Sequence, residues 1–199
     1  MSDQQVDSGK RTWLITTGCA GAVGAGFAAV PFVSSFQPSE RARAAGAAVE
    51  VDIGALKPGE KMTVEWRGKP VWIVRRTPEQ LAALPKIDPQ LADPKSERKP
   101  GELTPEYARN EARSIKPEVL VVVGICTHLG CSPSDKFQSG AQPSLPDDWA
   151  GGFLCPCHGS TFDMAGRVFK NKPAPDNLEV PPHMYLSDTR LIIGEDKKA

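Results

Sequence analysis

Histidine is almost absent from this chain, with three in 199 residues. An excess of either charge is missing too, because Lys plus Arg and Asp plus Glu each number 24. A balanced chain carries no electrostatic footprint for nucleic acid, so no nucleic-acid partner is expected. No internal repeat is present, and no haem-attachment motif. Only one stretch lacks acidic and basic side chains for long, from Thr12 to Ser39. What is abundant is glycine and proline, at 18 and 19. That composition favours a loop-rich, mostly β fold over a helical bundle.

The five cysteines are unevenly placed. Cys19 stands alone. The others form two close pairs, Cys126/Cys131 and Cys155/Cys157, and each pair has a histidine beside it. Such clustering points to metal. Cys19 lies in the apolar stretch with no cysteine or histidine near it, so it is read as a packing residue.

The apolar core from Trp13 to Phe36 has 24 residues. As a helix it spans roughly 36 Å, enough to cross a hydrocarbon core of about 30 Å. Gly18, Gly21, Gly24, Ala25 and Gly26 suit close helix packing in a bilayer. A cleaved signal peptide is the alternative, but its apolar region is normally only about 7–15 residues. A retained anchor is therefore expected over residues 12–37. Flanking charges do not decide its orientation, because Lys10 and Arg11 balance Arg41 and Arg43. The stretch Lys10-Arg11-Thr12-Trp13-Leu14 resembles a twin-arginine export signal with Lys in the first position. That resemblance implies residues 1–11 in the cytoplasm and a globular part exported already folded.

Residues 38–48, rich in Ala and charge, are expected to form a flexible hinge. From Val49 the pattern turns β-like. Met62–Trp66 and Val71–Val74 read as strands around a turn at Gly68. Helices are expected to begin at Thr77-Pro78-Glu79-Gln80, a capping-box pattern, and at Thr104-Pro105-Glu106. Between them, Pro85–Pro100 reads as a loop. Val119–Ile125 reads as a buried strand running into Cys126, and Phe153-Leu154 leads into Cys155 in the same way. Met184–Leu186 and Leu191–Ile193 are expected to close the chain as a hairpin.

The first motif is Cys126-Thr127-His128-Leu129-Gly130-Cys131. The second is Cys155-Pro156-Cys157-His158-Gly159-Ser160. Thiolate with imidazole suits zinc, iron–sulfur or copper. A Cys2His2 zinc module would use one cysteine of each pair and leave Cys131 and Cys157 unexplained.

The two motifs resemble those of Rieske iron–sulfur proteins, above all the subunit of quinol–cytochrome c reductase, respiratory complex III, of bacterial type. The resemblance implies a mostly β protein: a transmembrane helix followed by an antiparallel Rieske domain at 49–199, with a small cluster-binding subdomain at about 119–179. It implies one [2Fe–2S] cluster held by Cys126 and Cys155 on one iron and His128 and His158 on the other. Histidine ligation raises the reduction potential, as is known of Rieske centres. Cys131 and Cys157 would form a disulfide between the loops. In a chain-entropy estimate such a loop is worth about 3–4 kcal/mol, less where the cluster already joins the loops. A disulfide also fits an oxidising periplasm.

Ser160 resembles the serine that hydrogen-bonds a bridging sulfide. Phe162 departs from the tyrosine of many high-potential members and has no hydroxyl to donate to a sulfur, so a lower potential is expected. Lys172-Pro173-Ala174-Pro175 resembles the Gly-Pro-Ala-Pro loop that covers the cluster, with Lys in place of Gly. Leu129 is either exposed, as the loop tip that docks at the quinol site, or packed beneath the cluster. His183 is expected to be structural.

The expected function is quinol oxidation, with this chain as one subunit of a quinol–cytochrome c reductase, a translocase. Ubiquinol would give one electron to the cluster and a proton to His158, and a membrane-bound c-type cytochrome would take the electron. Cytochrome b would be the other partner, in a dimeric complex in the bacterial inner membrane. A Rieske ferredoxin-like carrier and a zinc module are the alternatives. The Cys131/Cys157 pair and the anchor disfavour the first.

Overall fold

The computed structural model describes residues 7–99 and 101–196. The first six residues of the expected cytoplasmic segment, Pro100 and the last three residues of the expected domain lie outside them. The chain divides into two units, residues 1–44 and 45–199.

In the first unit, helix α1 runs Ser8–Ser35. Asp7 caps it, its carboxylate accepting from Gly9 N at 3.0 Å and Lys10 N at 3.2 Å. At about 1.5 Å per residue its 28 residues are long enough to span a bilayer. Its threonine hydroxyls are satisfied internally: Thr16 donates to Thr12 O at 2.9 Å and Thr17 to Trp13 O at 2.8 Å. A hydroxyl in hydrocarbon has no water to turn to, so such back-bonding is what a transmembrane helix requires. After it, Glu40–Ala45 forms a short helix, α2, inside the stretch read as a hinge. Ser39 caps it through Ala42 N at 3.2 Å.

The second unit holds three antiparallel three-stranded sheets. Strand β1 (Val49–Asp52) pairs with β9 (Arg190–Ile193), which pairs with β8 (His183–Tyr185). Strands β2 (Lys61–Trp66), β3 (Lys69–Arg75) and β4 (Val119–Val123) form the second sheet. Strands β5 (Ser134–Lys136), β6 (Gly152–Leu154) and β7 (Thr161–Asp163) form the third.

The middle sheet explains why Val119–Val123 carries no polar residue. Successive side chains of a strand point to opposite faces, and here both faces are buried. Val71, Ile73, Val119, Val121 and Val123 enter one core with Val51, Leu191 and Ile193. Trp72, Val74, Leu120 and Val122 enter a second core with Cys126, Phe153, Cys155 and Phe162. One central sheet thus supports the closing hairpin on one side and the two Cys/His loops on the other. Gly124 permits this packing, because a Cβ there would lie 2.1 Å from the Trp72 ring. Trp72 in turn stacks on Phe153 at 5.1 Å.

Helix α3 (Pro78–Ile87) begins at the expected capping box: Gln80 N donates to Thr77 Oγ1 at 3.3 Å, and Thr77 N to Gln80 Oε1 at 2.9 Å. It differs from expectation at its far end, where it runs through Pro85 and buries Leu84 and Ile87. The second expected helix is only a 3-10 turn at Glu106–Ala108. Thr104 does not cap it, because the Thr104 hydroxyl accepts from Arg113 Nη2 at 2.7 Å.

Candidate metal centre

The two motif loops leave β4 and β6 and repeat one backbone pattern. Cys126 N donates to Cys131 O and Gly130 N to Cys126 O, at 2.7 and 3.0 Å. In the second loop, Cys155 N donates to Ser160 O and Gly159 N to Cys155 O, again at 2.7 and 3.0 Å. Gly130 and Gly159 have φ of 82° and 72°. A Cβ would meet nothing at either, so these positions favour glycine for its backbone alone.

The pattern turns the first cysteine of each loop inward and leaves each histidine near the rim. Cys126 and Cys155 are each 2% exposed, whereas His158 is exposed and His128 half-buried. The two imidazole rings meet edge to face, 4.7 Å between centroids. Cys131 and Cys157 form a disulfide across the loops, with 6.7 Å between their Cα atoms. The sulfurs of Cys131, Cys155 and Cys157 lie within 4.8 Å of one another. Two of those three are already bonded to each other, so only Cys155 among them is a thiol donor.

Burial pushes the Cys126 thiol above its ordinary value, and the neighbouring Cys155 adds to the effect. A thiol held in this way resists ionising unless a cation compensates it. A donor pair of this kind suits a positively charged iron–sulfur core. Ser160 is fully buried, and its hydroxyl works against the upward shift of the Cys126 thiol.

The stretch Lys172–Asp176 lies against both loops. Ala174 N donates to Ser160 Oγ at 3.0 Å, and Thr127 Oγ1 donates to Asp176 O at 2.6 Å. Leu129 is 71% exposed, which excludes packing beneath the centre. Phe162 is fully buried in the core that contains Cys126 and Cys155. His183 lies apart on β8, buried, its Nδ1 2.8 Å from Pro181 O; burial lowers its pKa. Cys19 is exposed on α1.

Sequence reasoning missed the polar scaffold behind the second loop. Asp163 is fully buried and accepts from Ala165 N, Arg167 N and Arg167 Nε. Arg113 donates to Ala165 O, Gly166 O and Leu178 O, and Arg76 to Met164 O. Burial lowers both arginines to about 10, so they remain charged at neutral pH. The only local signal was the Asp163/Arg167 spacing, since the other partners lie far away in sequence.

Two loops that bury a cysteine and present a histidine apiece, stapled by a disulfide, define a Rieske-type iron–sulfur domain. The family model described as Rieske [2Fe-2S] domain matches residues 94–182. Another, described as Ubiquitinol-cytochrome C reductase Fe-S subunit TAT signal, matches residues 5–39. The ubiquinol–cytochrome c reductase iron–sulfur subunit of Allochromatium vinosum is 59% identical over 198 residues, covering 99% of this chain and 94% of that one. The subunit of the same description from Rhodospirillum rubrum is 40% identical over 190 residues, covering 94% and 93%. A solved chain of a hyperthermophilic respiratory complex III is 28% identical, with a TM-score of 0.45 over 89% of this chain and 97% of that one. The chain belongs to the family of ubiquinol–cytochrome c reductase iron–sulfur subunits.

Proposed function

We propose that this chain accepts one electron from ubiquinol and delivers it to a membrane-bound c-type cytochrome, beside cytochrome b, within a dimeric translocase. The observation that carries this reading is the placement of two histidine rings at the rim of a site whose two thiols are buried. Cys126 and Cys155 would hold one iron of a [2Fe–2S] cluster, and His128 and His158 the other. When bound, the cluster supplies a one-electron acceptor of raised potential.

The rest of the chemistry falls to this chain's own residues. The outer ring nitrogen of His158, exposed at the rim, receives the quinol hydroxyl as a hydrogen bond and then takes its proton. Exposed Leu129 makes the apolar contact at the quinol site. Ser160 orients its hydroxyl toward the buried sulfurs, and the Cys131–Cys157 disulfide holds the two loops together. Residues 12–37 anchor the protein in the bacterial inner membrane. Residues 38–48 are the hinge on which the periplasmic domain, 49–199, moves between partners.

EPR of the ascorbate-reduced, iron-loaded protein tests the centre. A Rieske spectrum that is lost in His158→Cys is expected. A silent spectrum, with zinc in place of iron by metal analysis, overturns the reading. For the proton step, His158→Gln in the assembled complex should abolish ubiquinol-dependent cytochrome c reduction, and retained turnover would refute it.

A further inference from the structure

The stretch Lys172–Asp176 has two prolines and therefore few amides with which to be pinned. From the inner side it is held by Ser160 and Thr127, as described above. From the outer side it meets Leu91–Lys99, a segment that no motif singled out.

That segment is first fixed to the β7 hairpin. Leu91 bridges to Phe169, and Ala92 N donates to Val168 O at 2.9 Å. The Asp93 carboxylate then accepts from Glu97 N at 2.8 Å and Arg98 N at 3.1 Å. Between them Ser96, buried, has a φ of 55°. Left-handed backbone at a non-glycine residue persists only where its surroundings hold it. Here Asn177 does so: its Nδ2 donates to Asp93 O at 2.9 Å and to Ser96 Oγ at 3.1 Å. The turn aims two exposed cations at the proline loop. Arg98 Nη1 donates to Pro175 O, and Lys99 Nζ to Asp176 Oδ2, each at 2.7 Å.

Asp176 is therefore held at both ends. Its carbonyl oxygen is taken by Thr127 of the first loop, and its carboxylate by Lys99. We propose that Arg98 and Lys99 are positioning residues that seat the Pro173–Pro175 loop on the two cluster loops, keeping Ala174 N on Ser160 Oγ. This inference rests on the proposed ligand set. Because both cations are exposed, the clamp is ionic in part and weakens as salt rises.

The test uses the full-length, cluster-loaded protein in detergent, with hydrogen–deuterium exchange followed at the Ala174 amide. Prolines 173 and 175 have no amide, so Ala174 reports the loop cleanly. Arg98→Met/Lys99→Met should exchange about tenfold faster than wild type, the size expected when one charge-assisted bond and one exposed ion pair are lost. Salt should accelerate exchange in the wild type and not in the double variant. Lys99→Met alone should exchange faster than wild type, whereas Lys99→Arg, which keeps a cation at the same place, should exchange as slowly as wild type. The EPR line shape of the reduced protein should broaden in the double variant and stay as in wild type in Lys99→Arg. Lys99→Met alone serves should the double variant fail to fold.

Exchange within twofold of wild type, or salt sensitivity surviving in the double variant, overturns the clamp. A wild-type protein with no Rieske signal overturns the ligand set and the clamp together. A normal wild-type signal with unaltered exchange removes the clamp alone.

Discussion

Ser160 Oγ accepts the amide proton of Ala174 at 3.0 Å, and both residues are buried. One hydroxyl thus pins the proline loop, and it also works against the upward shift of the buried Cys126 thiol. Ser160→Ala removes the hydroxyl and leaves the Ala174 amide without its acceptor. The cost in folding stability should be about 1–3 kcal/mol, read from denaturant midpoints of the loaded protein. The reduction potential should fall, because a hydrogen bond to a cluster sulfur favours the reduced state. A potential equal to wild type would count against the serine's place in the centre.

Phe162 lies in the same core as Cys126 and Cys155 and has no polar atom to offer. Phe162→Tyr should raise the potential in a redox titration by giving a cluster sulfur a hydroxyl donor. An unchanged or lower potential would show that the ring edge does not address the cluster.

His183 introduces a pH dependence far from the metal. Burial lowers its folded-state pKa below the ordinary value of about 6.5. Above that value the side chain is neutral in both folded and unfolded chains and the full stability is present. As pH falls below it, the unfolded chain takes up the proton first, so stability is lost until the lowered folded value is passed. Thermal midpoints from pH 8 down to 5 should show this fall in the wild type and a flatter one in His183→Gln. Parallel curves would exclude His183 as the source.

Gly124 is a steric prediction. Its Cβ position lies 2.1 Å from Trp72, whose ring is itself stacked on Phe153. Gly124→Ala must displace that ring, at about 1–3 kcal/mol or more. Circular dichroism melts should show the loss, together with lower iron content, since Cys126 follows two residues later.

Some of this architecture was legible because it is local. The helix-length apolar run from Thr12, the capping box at Thr77 and the apolar strand before Cys126 each depend on neighbours within a few residues. So do the two loops, whose glycines and short spacings are complete within six residues each. The second helix expected at Thr104 failed for the opposite reason. Its capping hydroxyl was claimed by Arg113, nine residues away and brought back by the fold. The extension of α3 through Pro85 follows the same logic, since burial of Leu84 and Ile87 outweighs the local penalty of proline.

The sequence alone determined which cysteines and histidines stand together in each short motif, and that an apolar stretch of membrane-spanning length precedes them. Those properties belong to contiguous residues whose chemistry and spacing survive in any conformation. Tertiary structure decided how the site is enclosed. Thr127 meets Asp176 across 49 residues, Lys99 meets Asp176 across 77, and Arg76 meets Met164 across 88. Contacts at such separations exist only once the central sheet has brought its two faces together, because closing those long loops costs chain entropy that no local pattern records.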